Sequence, residues 1–223
     1  MAYTNYAYLD ATDNTGRVFP TDVKPSQIRV QISQPTLTTT TNALLTQRRT
    51  LGLHSIELTY TYPPMEADEL QKFVAFFTAM QGSAKAFKLN APKELINDST
   101  HIADSVIKNI TTSYSAGAKE IIIDNCGTSL EPAIKGGNFI QFSDAGHDKI
   151  YVIVANANSI ADGTCKIRIE PGLHSGITAS TDLNRFSDDI PIHVIFKNDT
   201  IKFDVNSALL YGFEVSFVEQ WED

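Results

Sequence analysis

The sequence predicts a mainly-β protein. It has a discontinuous β-domain, residues 1–95 and 186–223, carrying one packed α-helix, and a small β-sandwich or barrel, residues 96–185, inserted between its halves. Three observations carry this. Apolar and polar residues alternate through His54–Tyr62 and Tyr211–Val218, the period of two of a strand with one buried face. Only Glu66–Gln81 shows the three- and four-residue recurrence of a helix. Between about Pro92 and Asp188 the texture changes to short apolar runs separated by Gly, Asn, Asp and Ser.

Taken in order, the stretch to Pro25 is polar, with turn residues Asp13, Asn14 and Gly16, and reads as an arm or a loosely packed first strand. Gln27–Ser33 alternates Ile28, Val30 and Ile32 against Gln27, Arg29 and Gln31, predicting a strand with that apolar face buried. Thr36–Thr41 supplies β-branched residues, and 43–49 reads as the second arm of a hairpin. His54–Tyr62 puts Ile56, Leu58, Tyr60 and Tyr62 on one face, and Pro63 and Pro64 are expected to end it. In the helix, Leu70, Phe73, Val74, Phe77 and Met80 form the apolar stripe. Glu66, Asp68 and Glu69 complement its N-terminal dipole, and Gly82 is the expected C-cap. A short strand at Ala86, Phe87 and Leu89 returns from it, stopped by Pro92.

In the inserted segment the predicted strands are 120–124, 138–143, 149–155 and 165–170, with turns at Gly136-Gly137, Ala145-Gly146 and Asp162-Gly163. The closing part predicts 193–196, 200–204 and 211–218, with Phe213, Val215 and Phe217 sharing one face.

Eighteen Lys and Arg against 26 Asp and Glu give a net charge of −8, and Arg48-Arg49 is the only adjacent basic pair. That balance argues against sequence-specific nucleic-acid binding, yet suits a surface past which DNA slides without sticking. No apolar run approaches the roughly 20 residues of a membrane helix, and Met1–Asp10 lacks a basic segment leading into an apolar one, so neither membrane insertion nor signal-peptide export is expected. Cys126 and Cys165 show neither paired-ligand spacing nor a disulfide framework. They read as two small buried side chains in a reducing compartment, with a bridge between them as the alternative. The tripeptides starting at Asn97, Asn109 and Asn198 match the glycosylation pattern, which carries little weight without a secretion signal.

Catalytic patterns are scarce. Glu66, Asp68 and Glu69 are explained by the helix dipole. His54, His101, His147, His174 and His193 are isolated, without the helical spacing that builds a metal site. Lys135-Gly136-Gly137 lacks the remainder of a phosphate loop, and Asp10, Asp13 and Asn14 miss the spacing of a calcium loop. There is no Gly-x-Ser-x-Gly elbow, and neither cysteine lies in a recognisable nucleophile context. The sequence therefore predicts no enzyme, and assigns no catalytic, cofactor-binding or metal-ligating residue and no cofactor. Arg48-Arg49 reads as a solvated pair, with capture of phosphate or a partner's carboxylates as the alternative.

Three passages together resemble the distal-tail proteins of long-tailed bacteriophages. The first runs from Gln47-Arg48-Arg49 through the strand His54–Tyr62, the Pro63-Pro64-Met65 turn and the helix with Glu66-Ala67, Leu70, Phe73, Phe76 and Phe77, to Gly82 and Ala86-Phe87. It is similar to the amino-terminal domain of many such proteins. The second comprises Gly117–Ile123, Ile134–Phe142, Lys149–Val152 and Ile167–Leu173, and resembles their inserted β-domain. The third, Gly212–Trp221, resembles the last strand of the tail-tube fold.

The resemblance rests on order and spacing rather than on an invariant motif, and brings no catalytic residue. It implies a tail-tube-like β-sandwich in a homo-oligomeric ring, usually a hexamer, located in the virion tail and made in the bacterial host cytoplasm. Its partners would be the tail tube protein and baseplate hub or tail fibre proteins. The function expected is a virion structural protein joining the tail tube to the baseplate or tail tip, with DNA passing through the lumen. The alternative is a carbohydrate-binding module of an adsorption apparatus, using Phe139, Phe142 and Tyr151 to stack on sugar rings. An unrecognised hydrolase is the third reading.

Overall fold

The computed structural model describes residues 19–20, 23–42, 44–52, 54–91, 108–142, 149–184 and 190–220. Asp10, Asp13, Asn14, Gly16, Pro92, His101, His147 and the Ala145-Gly146 turn lie outside them. In chain order the elements are β1 (Gln27–Ser33), β2 (Thr36–Thr40), β3 (Thr46–Thr50), β4 (Ser55–Met65), α1 (Ala67–Met80), β5 (Phe87–Ala91), β6 (Lys108–Asn109), β7 (Glu120–Ile123), β8 (Phe139–Phe142), β9 (Tyr151–Ile153), β10 (Cys165–Glu170), β11 (Asp182–Asn184), β12 (Ile190–Phe196), β13 (Phe203–Val205) and β14 (Tyr211–Glu219). The fold is mainly β, with a single α-helix among the described residues. Two compact units divide the chain: Met1–Ser33, Ser55–Asn90 and His193–Gln220 form one, and Gln34–His54, Ala91–Ile192 and Trp221–Asp223 the other. The β2–β3 hairpin, which the sequence reading kept within 1–95, thus groups with the second unit.

In the first unit the strand order is β1-β4-β14-β12-β5, with β13 paired to β14. The alternation in β4 resolves as expected, with Ile56, Leu58, Tyr60 and Tyr62 buried. Pro63 and Pro64 do not end this strand, which runs on to Met65. Its pairing with β14 shifts there, from Phe213 opposite Tyr62 to Tyr211 opposite Met65, so two prolines face one glycine, Gly212, in a bulge. A bulge tolerates residues that cannot donate to the ladder.

The helix begins after Glu66, an N-cap whose N–H donates to the Glu69 carboxylate (3.1 Å). It ends on Gln81, which adopts the left-handed cap in place of the expected Gly82. Its buried stripe is Leu70, Phe73, Phe76 and Met80. Phe76 takes the deep position assigned to Phe77, because both fit helical spacing from Phe73 and Met80 and only packing chooses between them. Phe77 instead lies at the margin, edge-on to Phe196 (4.9 Å).

The centre of this core is Phe19, in the stretch read as a polar arm. Its ring lies 5.0–5.9 Å from those of Phe73, Phe76, Phe87 and Phe217, and its N–H donates to the Lys88 carbonyl. Aromatic rings at such separations prefer tilted and edge-to-face arrangements, each contributing about 0.5–1.5 kcal/mol beyond area burial.

The second unit holds a six-stranded antiparallel sheet in the order β6-β11-β8-β9-β10-β7. An additional bridge between Ile110, just after β6, and Ile123, at the end of β7, joins the two outer strands, closing the sheet into a small barrel. Closure removes the open edges that a six-stranded sheet would otherwise expose. The interior is branched and aromatic: Ile121, Ile123, Ile140, Phe142, Tyr151, Ile153, Ile167 and Ile169 are all buried. Gly136 sits in a tight place, where a Cβ would stand 3.2–3.3 Å from the Ala155 backbone. The predicted Gly136-Gly137 turn follows from that close approach together with the positive φ of Gly137.

Candidate functional site

The first unit presents an open strand edge. β1 pairs with β4 along its whole length, with Val30 opposite Leu58 and Ile32 opposite Ile56, and has no second neighbour among the described strands. Directly opposed residues share a face, so Ile28, Val30 and Ile32 stand on the core side of the sheet beside Ile56, Leu58 and Tyr60. The expectation that this face is buried fails. Val30 is 37% and Ile32 42% exposed, whereas Leu58 and Ile56 are 2% and 3% exposed. The aromatic layer of α1 and Phe19 packs on β4, whereas Val30 and Ile32 on β1 stay partly exposed. A partly exposed apolar stripe continuous with the core is left beside a strand edge with no second strand among the described residues, the arrangement that recruits another strand.

The second unit carries a β2–β3 hairpin whose strands are exposed throughout. Its turn is closed by the Thr41 N–H donating to the Leu45 carbonyl and the Leu44 N–H to the Thr41 carbonyl, both at 2.9 Å. Leu44, at φ +59°, is 84% exposed at the tip, and Leu45 follows it. Arg48 and Arg49 lie exposed on β3 opposite Thr38 and Leu37, which suits a solvated pair and phosphate or carboxylate capture alike.

Of the titratable candidates, the acids at the helix start have structural roles, and His174 and His193 are fixed through their backbones. Glu66 and Glu69 cap the helix. His174 donates its backbone N–H to the Tyr151 hydroxyl, and His193 accepts the Gln220 N–H at its carbonyl. Among the described residues no three His, Cys, Asp or Glu side chains gather as a metal site. Of the rings considered for sugar stacking, Phe142 and Tyr151 are buried in the barrel, and Phe139 is half-buried.

Sequence reasoning named His54 only as an isolated histidine, whereas it lines a cleft of about 300 Å³ with Thr50, Lys119, Glu170 and Pro171 in the second unit. Lys119 and Glu170 pair across it, with Nζ 2.7 and 2.8 Å from the two carboxylate oxygens. The Lys149 ammonium lies 3.4 Å from the His54 carbonyl. His54 is buried and neither ring nitrogen has a hydrogen-bond partner of normal geometry. Burial first, and the Lys149 charge second, lower its pKa to about 4, so the ring is neutral at neutral pH. A wider groove of about 650 Å³ in the first unit has Tyr62, Phe77, Phe196 and Phe213 in its lining. Two of its acids are already engaged, Asp199 by Ser83 and Glu214 by the Thr61 hydroxyl. Several charged groups of both clefts are thus held by neighbours, while the β1 edge and the Leu44 tip are among the apolar surfaces left exposed in the described residues.

No protein-family model matches the chain, and a search of curated proteins finds no significant match. Among the described residues no helix is long and apolar enough to cross a membrane.

Proposed function

We propose that the protein is a virion structural subunit that assembles into a ring, a closed cyclic homo-oligomer of the kind joining a phage tail tube to its baseplate or tail tip. The observation that carries the reading is the β1 edge, where a partly exposed apolar stripe continuous with the core lies along a strand with no second neighbour among the described strands. A second copy adding a strand there would satisfy the backbone groups and bury Val30 and Ile32 in one step. A heterologous contact of this kind builds a ring when its rotation closes, and an open filament when it does not. The exposed Leu44 tip of the second unit offers a further anchor for a neighbour. The net charge of −8 suits a lumen that DNA traverses without adhering.

Light scattering on the purified chain, followed by negative-stain imaging, tests the proposal. A closed cyclic species, six being the expected number, supports it. A monomer at concentrations well above those of assembly counts against it.

A further inference from the structure

Within the barrel of the second unit, Cys126 and Cys165 are both buried with their sulfurs 2.9 Å apart. This is closer than unbonded sulfurs rest when they merely fill space. Both backbones are held in place by hydrogen bonds. Cys165 opens β10 opposite Ile123 and bridges to Ser159. The Cys126 N–H, in the turn after β7, donates to the Gly163 carbonyl at 2.8 Å. The two thiols therefore meet because strand register and turn hydrogen bonds aim them at one another. Bridging requires little more than drawing the sulfurs together, and disulfides form readily where the backbone already presents the two side chains to each other.

We infer that Cys126 and Cys165 are a dithiol that closes reversibly to an intramolecular disulfide when the protein meets a small disulfide oxidant of the glutathione type. One thiolate attacks a sulfur of the oxidised glutathione, forming a mixed disulfide and releasing one glutathione thiolate. The second protein thiolate attacks the protein sulfur of that mixed disulfide, forming the bridge and releasing the other glutathione. Two protein thiols lose two electrons and two protons in all, and one small disulfide becomes two thiols. Because both sulfurs are buried, the first attack waits on local opening of the surrounding turns, which makes closure slow and the closed form persistent. The bridge spans 39 residues of chain and links the turn after β7 to the start of β10. It is independent of the ring reading.

The test uses the full chain, incubated with oxidised glutathione, then denatured, alkylated and weighed by intact mass spectrometry with peptide mapping. The expected product is a monomeric chain two hydrogens lighter, with no alkylated cysteine and with the peptides of Cys126 and Cys165 joined. Closure is expected to raise the thermal midpoint by several degrees, and dithiothreitol to return it. Cys126→Ser and Cys165→Ser should each leave one cysteine carrying either glutathione or the alkylating group. Two alkylated or two glutathionylated cysteines in the parent chain after prolonged exposure would overturn the inference, as would a covalent dimer or a lowered midpoint on closure.

Discussion

The Asp199 carboxylate accepts both the backbone N–H and the hydroxyl of Ser83, tying the loop after β12 to the turn that follows α1. Between the helix and Ser83 stands Gly82 at φ +66°, where a Cβ would lie 2.9 Å from Asp199 Oδ1 and 3.2 Å from the Asp199 Cα. The side-chain oxygen can swing aside, but the backbone atom cannot. Gly82→Ala is therefore expected to combine the left-handed backbone penalty with loss of the Ser83–Asp199 contact, costing about 1–3 kcal/mol in urea denaturation. A change within about 0.5 kcal/mol, the range of ordinary surface substitutions, would refute this account.

The same contact has a pH signature. Hydrogen bonds from Ser83 hold the Asp199 carboxyl below its ordinary range. A carboxyl with a depressed folded-state pKa contributes stability above its unfolded value and loses it as pH falls through the folded value. Asp199→Asn should accordingly lower the thermal midpoint at pH 7, and the difference from the parent should shrink as the pH is taken below the usual carboxylate range. A difference that stays constant through acid would point to shape rather than charge.

His54 titrates with the opposite charge but the same pH direction. Its folded pKa of about 4 lies below its ordinary 6.5, so between those values the unfolded chain takes up a proton that the folded chain refuses. Stability is complete above about 6.5 and declines as pH falls toward 4. The charged groups that reach the ring are Lys149, which opposes protonation, and Glu170, which favours it. His54→Gln removes the titration, so thermal midpoints of the variant should fall less than those of the parent across this window. Parallel curves would show that His54 is not the group responsible.

The β4 and β14 alternations and the six-residue strand 165–170 were legible because every second residue there meets a covered face. β1 carries an equally regular alternation, yet periodicity reports which residues share a face and not whether anything covers it. Phe19 failed in the reverse direction, as one aromatic residue in a polar stretch has no period and its five ring partners lie on four different elements. The meeting of His54 with Lys149 and Glu170, and of Cys126 with Cys165, depends on barrel register and is invisible to spacing.

Phe19→Ala tests that core directly. The ring is 3% exposed and contacts Phe73, Phe76, Phe87, Phe196 and Phe217, so removing it leaves a cavity lined by rigid rings that collapse poorly. The expected loss is about 3–5 kcal/mol in urea denaturation, comparable with other deletions of buried aromatics. A loss below about 1 kcal/mol would mean that the ring does not fill the centre of the first unit.

Charged substitutions on the β1 edge separate folding from assembly. Val30→Lys combined with Ile32→Lys places two ammonium groups on the exposed stripe, where long side chains reach water and natural edge strands carry lysine to prevent pairing. Because both positions are more than a third exposed, the midpoint of the isolated chain should change little. If rings close through this edge, the variant should remain monomeric by light scattering at concentrations at which the parent forms its closed species. A variant that assembles as the parent does would move the interface away from β1, and one that fails to fold would show that the stripe is covered within the subunit itself.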